Sequence, residues 1–131
     1  MPDFILTPIS PEDAVAFAQR HGAPHVARGL YACALAEAGD GRPRLRAVAL
    51  IGYPAMRPDP YTLELTVLAT EGGPLPLSQL YGAARRVAWG LGYRRLYRCV
   101  AHRDEIGALR GAGWHHATTP NGAPCWEAPP Y

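Results

Sequence analysis

The feature that most constrains the fold is the order of segments in residues 61–114. A strand-like apolar run is followed by a Gly/Pro loop, a helix-like run, a second strand-like run and a short helix that ends in Gly-Ala-Gly-Trp. This order predicts a right-handed crossover that joins two parallel strands. It also places a helix N-terminus beside a strand end, where backbone N–H groups and the helix dipole attract anions. The sequence therefore predicts the geometry of a cofactor site at this loop.

The segments before the crossover predict a helix and an antiparallel hairpin. Ser10 is a good capping residue, and Pro11 and two acidic residues follow it, so a helix is expected from Pro11 to about His21. Residues 3–10 before it predict a short edge strand. Residues 30–38 and 45–53 are strand-like runs around a Gly-Asp-Gly turn, which predicts an antiparallel pair. Residues 115–119 and 125–128 predict a second, terminal pair.

Side-chain periodicity assigns faces to the two central elements. In residues 62–70, strict alternation places Leu63, Leu65, Val67 and Ala69 on one face and Glu64 on the more polar face. The expected buried stripe of the following helix has a helical spacing and consists of Leu80, Ala84, Val87 and Leu91.

Length and composition predict one soluble domain. The chain has 131 residues, 48% of them hydrophobic and 18% charged, which suits a single compact core at residues 1–131. No apolar run is long enough to span a membrane, and the N-terminal residues lack the pattern of a signal peptide, so we expect a cytoplasmic protein with no membrane partner. The three cysteines are widely spaced, so we expect reduced packing residues and no disulfide. Because Cys99 and His102 would point to opposite faces of a strand, no metal site is expected.

Arginine supplies all the basic charge of the chain. The formal net charge is only +2, yet seven of the thirteen arginines lie between positions 85 and 110. The guanidinium group matches phosphate oxygens well, which leaves two interpretations: a solvated surface, or a site for phosphates or nucleic acid.

Five short segments are distinctive: Gln-Arg-His-Gly-Ala-Pro-His, the strand Thr-Leu-Glu-Leu-Thr-Val-Leu-Ala, Leu-Tyr-Gly-Ala-Ala, Gly-Tyr-Arg-Arg-Leu and Leu-Arg-Gly-Ala-Gly-Trp. Together they resemble the GNAT acetyltransferase superfamily. They are similar in particular to small GNAT-like proteins of phages and mobile elements. The resemblance covers residues 4–114. It implies an α+β fold with three α/β/α layers, in which a mixed, mostly antiparallel sheet splays after its fourth strand.

The resemblance also implies acetyl-CoA, or another acyl-CoA, as co-substrate in the gap of the splayed sheet. The residues that it assigns to the co-substrate lie on the fourth strand and in the loop after it: Val67, Leu68, Ala69, Thr70, Gly72, Gly73, Ser78 and Gln79. Ser78 is the expected helix cap. The loop departs from the family pattern, because Leu75 and Leu77 take positions that are usually small and two prolines remove N–H donors.

The resemblance implies a catalytic base but leaves the catalytic acid open. Acyl transfer needs a base to take the proton of the amine, and Glu64 lies where several family members have a catalytic glutamate. The tyrosine that often protonates the leaving thiolate is replaced by Arg110, so Tyr97, Tyr81 or solvent is left for that role, or an arginine for electrostatic stabilisation. His21 and His25 lie in the segment where family substrates enter and are the candidate substrate-binding residues.

We therefore expect an acyl-CoA-dependent N-acyltransferase with an unidentified amine acceptor, as a monomer or a homodimer. Two alternatives stay open: a non-catalytic GNAT-like module that binds protein or nucleic acid through its arginine-rich half, and modification of a DNA base on the same scaffold.

Overall fold

The computed structural model describes residues 3–22, 29–54, 60–99, 103–118 and 124–129. Its elements are β1 (Phe4–Ile9), α1 (Pro11–Arg20), β2 (Tyr31–Glu37), β3 (Arg44–Gly52), β4 (Thr62–Thr70), α2 (Leu77–Gly90), β5 (Arg95–Arg98), a 3-10 turn (Arg103–Glu105), α3 (Ile106–Gly111), β6 (His115–Thr118) and β7 (Pro124–Glu127). In these ranges, no helix is both long and apolar enough to cross a membrane.

The strands form one mixed sheet in the order β1-β2-β3-β4-β5-β7-β6. The pair β4 and β5 is parallel, and every other neighbouring pair is antiparallel. The predicted edge strand, hairpin, parallel crossover and terminal pair are therefore all confirmed.

Helices cover both faces of the sheet, which confirms the predicted three layers. Beneath α2 and α3 lies the larger core, which includes Leu35, Ile51, Leu63, Leu65, Tyr81, Leu96, Leu109 and Trp114. Beneath α1 lies a smaller core of Ala14, Phe17, Ala18, Ala32, Ala34, Val48, Leu50 and Ala69. We call these the α2-side core and the α1-side core.

The start of α1 follows from local sequence alone. The Ser10 side chain accepts a hydrogen bond of 3.1 Å from the Asp13 backbone N–H, and Pro11 occupies the first helical position. A capping hydroxyl satisfies one of the N–H groups that a helix start leaves unpaired. The expected cap is confirmed.

The predicted stripe of α2 is wrong in its second half. Leu80 and Ala84 are fully buried, but Val87 and Leu91 are 39% and 56% exposed. The buried face continues through Ala88 instead. Periodicity identifies the helix, but it does not fix which of two adjacent stripes contacts the sheet.

The strict alternation predicted for β4 is also wrong. Leu65 lies in the α2-side core, whereas Val67 packs against the α1-side core and Ala69 is part of it. The register shows the reason, since Leu50 pairs with Val67 and Ile51 with Leu65, which leaves Thr66 as an extra residue. Such a β-bulge reverses the faces of all residues that follow it.

The expectation of three reduced cysteines is wrong for two of them. Cys99 and Cys125 are joined by a disulfide, whereas Cys33 is free and buried. The antiparallel pairing of β5 with β7 explains the bond, because the registers of Tyr97 with Glu127 and of Arg98 with Trp126 bring the next residues face to face. The Cα atoms of the two cysteines are 4.1 Å apart.

Candidate active site

The sheet opens between β4 and β5. The two strands pair only from Thr62 to Glu64 on β4, after which β5 continues its pairing with β7 while β4 runs on to Thr70. We call the resulting space the β4–β5 gap. The predicted splay after the fourth strand is confirmed.

Glu64 and Tyr97 face each other in the last register pair before the gap. Their flanking residues Leu63 and Leu96 belong to the α2-side core, so alternation directs both polar side chains to the opposite face. The Tyr97 hydroxyl accepts a hydrogen bond of 3.3 Å from Arg95 Nη1. The structure thus brings together the two residues that the sequence proposed as base and acid.

The environment of Glu64 favours its neutral form. Partial burial raises the pKa of its carboxyl above the usual 4.5, and the positive charge of Arg98 opposes that rise. A carboxylate that is half-desolvated in this way is a stronger base than an exposed one, which is a property expected of a general base.

A buried cluster that the sequence did not predict lies on the α2 side of the gap. Arg98 and Glu105, each 4% exposed, form a two-pronged ion pair in which Nε and Nη2 donate to the two carboxylate oxygens at 3.0 and 3.1 Å. The Tyr81 hydroxyl donates a short hydrogen bond to the same carboxylate. Arg98 Nη1 donates to the backbone carbonyls of Leu65 and Thr66, each at 3.2 Å. We call Tyr81, Arg98 and Glu105 the buried cluster.

The buried cluster removes Tyr81 from the candidates for the general acid. Burial and the neighbouring Glu105 raise the pKa of the Tyr81 hydroxyl far above its usual 10, and its proton is held by the carboxylate. Nothing in the sequence near Arg98 signals this pair, because its partners come from α2, β4 and the 3-10 turn.

The loop after β4 begins with two glycines in a left-handed conformation. Gly72 has a φ of +89° and Gly73 a φ of +85°, which side-chain-bearing residues rarely adopt. The Gly72 N–H donates to Thr70 Oγ1 at 2.7 Å. Arg46 of β3 approaches the loop, with Nη2 at 3.4 Å from the Gly72 carbonyl and Nε at 3.3 Å from the Glu71 carboxylate. The glycines expose the loop backbone, and a guanidinium lies beside it.

The predicted cap of α2 is wrong. The helix begins at Leu77 with Pro76 in the capping position and no side-chain cap, so Ser78 lies inside the first turn. The proline side chain has no oxygen that could accept from the N–H groups of the first turn, so this helix start has no side-chain cap. The Gln79 N–H, an expected phosphate donor, bonds to the Pro76 carbonyl at 3.0 Å.

Three N–H groups of this segment nevertheless stay free of acceptors among the residues described here: those of Gly73, Leu75 and Ser78. The side chains of Leu75 and Leu77 are half-buried and pack against the α2-side core. The two leucines that depart from the family pattern are thus accommodated beside the core.

Two further candidate residues lie on β4, and one of the two candidate histidines lies at the end of α1. Val67 packs against the α1-side core and Leu68 against the α2-side core, both on the part of β4 that β5 leaves unpaired. His21 ends α1 in an exposed position and its ring lies 4.3 Å from that of Phe17. His25 lies outside the described residues.

The arginine-rich half of the chain is partly structural. Arg85 Nε donates to the Pro129 carbonyl at 2.7 Å, Arg110 lies over the Trp126 ring at 5.7 Å, and Arg98 is buried. These arginines therefore have roles within the fold besides any contact with phosphate.

Comparison with known proteins shows the fold. The chain is similar to an acetyltransferase of Bacillus subtilis in complex with CoA, at 13% identity and a TM-score of 0.60, over 97% of this chain and 96% of that one. The chain has the GNAT fold. It is also similar to the ribosomal-protein-S18-alanine N-acetyltransferase of Escherichia coli (14% identity, TM-score 0.62, 97% and 94% covered) and to a chain of the KacTA-DNA complex (17% identity, TM-score 0.60, 95% and 92% covered). No protein-family model matches the sequence, and no curated protein matches it. The resemblance seen in the sequence is thus confirmed at the level of the GNAT fold.

Proposed function

We propose that this protein is an acyl-CoA-dependent N-acyltransferase that transfers an acyl group, with acetyl as the first choice, to an amine. The observation that carries the proposal is the position of Glu64 and Tyr97 as the last residue pair before the β4–β5 gap. Two similar GNAT-fold structures support the choice of co-substrate, since one was solved with CoA and another, AtaTR, with AcCoA.

The loop after β4 supports binding of the CoA diphosphate. Its available N–H groups at Gly73 and Leu75 lie in the loop just before α2, and that of Ser78 lies in the first turn, where the helix dipole favours an anion. The acyl arm would run along the unpaired edge of Val67, Leu68, Ala69 and Thr70, whose backbone groups are not paired with β5.

The chemistry divides between two side chains. Glu64 takes a proton from the acceptor ammonium or amine, directly or through a water, so that the nitrogen lone pair attacks the acyl carbon. The carbon–sulfur bond then breaks, and the Tyr97 hydroxyl gives its proton to the leaving thiolate. Arg95, which donates to the Tyr97 oxygen, stabilises the phenolate that remains.

Calorimetric titration with acetyl-CoA tests the first half of the proposal. Saturable binding is expected, and acetyl-CoA at a hundred times its dissociation constant should stabilise the fold by about 2.7 kcal/mol. Absence of both binding and stabilisation contradicts the proposal and favours a non-catalytic binding module. In that case, binding to DNA that falls steeply with added salt would identify nucleic acid as the ligand.

Acetyl transfer to a panel of small amines and peptide N-termini tests the second half. Glu64→Gln should abolish turnover and keep acetyl-CoA binding, because the amide cannot accept the amine proton. Glu12→Gln, an exposed glutamate in the first turn of α1, is the matched control and should keep wild-type turnover. Equal activity of both variants would remove Glu64 from the mechanism.

A further inference from the structure

The β4–β5 gap begins at a point where backbone carbonyls would otherwise lack partners. Beyond Glu64, the β4 backbone is no longer paired with the β5 backbone, and buried carbonyls without partners are costly. The first two carbonyls after the last pair, those of Leu65 and Thr66, both accept from Arg98 Nη1. A side chain of β5 thus supplies the hydrogen bonds that the β5 backbone does not.

The β-bulge makes this arrangement possible. Thr66 is the extra residue of the bulge, and its hydroxyl donates to the Leu50 carbonyl of β3 at 3.2 Å. The disrupted ladder lets two successive carbonyls approach one guanidinium. Arg98 and Thr66 therefore hold the bulge from its two sides.

Glu105 orients Arg98. Its carboxylate accepts from two N–H groups of the guanidinium in a forked ion pair, and one of its oxygens also accepts from the Tyr81 hydroxyl. A planar guanidinium held on both edges has a fixed position. A lysine keeps the charge but cannot make the fork and the two carbonyl contacts together.

We propose that Arg98 is a positioning residue of the active site, which keeps the β4–β5 gap open and fixes Glu64 at its rim through the carbonyls of Leu65 and Thr66. This inference rests on the proposed function for its link to catalysis. Its structural half, the hold of Arg98 on β4, stands on the hydrogen bonds alone.

The charge of Arg98 adds an electrostatic consequence for Glu64. In the sheet, the register places Tyr97 of β5 and Gly52 of β3 beside Glu64, and it pairs Tyr97 in turn with Glu127 of β7. The Arg98 charge lowers the pKa of Glu64 against the effect of burial. Loss of this charge should therefore make Glu64 harder to ionise.

Three variants test the inference: Arg98→Met, Arg98→Lys and, as matched control, Arg94→Met, which removes an exposed arginine whose Nη1 donates to the Tyr93 carbonyl at 3.1 Å. Carboxyl NMR titration of Glu64 should give a raised pKa in Arg98→Met, little change in Arg98→Lys and little change in Arg94→Met. The acid limb of kcat/KM against pH should move in the same way. In both Arg98 variants, kcat/KM should fall on the order of tenfold to a hundredfold, as expected for a misplaced base.

The outcomes separate the inference from the proposed function. If the wild type neither binds acetyl-CoA nor transfers acetyl, the proposed function fails, while the NMR titration and hydrogen exchange of β4 still test the hold of Arg98. The inference is overturned if folded Arg98→Met has wild-type Glu64 titration and wild-type exchange at residues 65–68. It is equally overturned if Arg94→Met lowers kcat/KM as far as the Arg98 variants do.

Discussion

Replacement of Glu105 by glutamine should reveal how much the buried cluster contributes to stability. Glu105→Gln keeps the shape of the side chain but removes the negative charge beside Arg98, and both residues are only 4% exposed. A buried charge that loses its partner costs about 3–5 kcal/mol, whereas an exposed ion pair contributes about 0–1 kcal/mol. The free energy of unfolding should therefore fall by about 3–5 kcal/mol, a large part of the 5–15 kcal/mol typical of a domain.

Glu127→Gln is the matched control for this experiment. Glu127 of β7 also lies near an arginine, but its side chain is 22% exposed and the N–O distances to Arg95 and His115 are both 3.9 Å. Its replacement should cost at most about 1 kcal/mol.

Urea unfolding followed by circular dichroism measures both effects, as a lower midpoint at an unchanged m-value. On heating, Glu105→Gln should lower Tm by roughly 10 °C or more. Equal stability of the two variants would refute the argument from burial, since it would mean that the Arg98 charge is solvated in the folded protein.

Three further predictions follow from individual groups. Gly73→Ala should destabilise the fold by about 1 kcal/mol and weaken acetyl-CoA binding, because Gly73 has a φ of +85°, a backbone conformation that alanine rarely adopts. Gly39→Ala is the control and should change neither the stability measured by urea unfolding nor the acetyl-CoA affinity measured by calorimetry. Tyr97→Phe should lower kcat and keep acetyl-CoA affinity, because it removes the proposed general acid. Tyr81→Phe should keep kcat and lower the free energy of unfolding by about 1–3 kcal/mol. The reverse pattern would make Tyr81 the acid and Tyr97 a structural residue. Burial raises the pKa of the Cys33 thiol from 9.0 to about 11. Between these two pH values the folded state keeps a proton that the unfolded chain releases, so the free energy of unfolding should fall as the pH rises from 9 towards 11. Cys33→Ala should flatten this part of the stability profile, and an unchanged slope would mean that the thiol does not contribute.

The parts of the fold that were predicted correctly depend on residues close together in the sequence. The Ser10 cap, the hairpin strands and the bounds of β4 follow from capping chemistry, turn residues and runs of β-formers within a few positions. The parallel crossover follows from the order of the elements and their chirality. The GNAT fold was recognisable from this order together with short segments.

The wrong predictions depend on contacts between distant segments. The bulge at Thr66 arises from the register in which β4 pairs with β3, and it reverses the face of Val67 and Ala69. The disulfide of Cys99 and Cys125 exists through the pairing of β5 with β7. α2 begins at Leu77, where Leu75 and Leu77 pack against residues of the core that are distant in the sequence.

The sequence by itself determined the element order and the cap of α1, because these need only local chemistry and the order of strands and helices. The resemblance to the GNAT superfamily supplied the candidacy of Glu64 and Tyr97. Only the tertiary structure placed Glu64 beside Tyr97 and joined Arg98 to Glu105, Tyr81 and the β4 carbonyls. The physical reason is that a buried charge such as that of Arg98 needs a partner inside the protein. Its partners lie on segments that are distant in the sequence, and only strand register and helix packing bring them together.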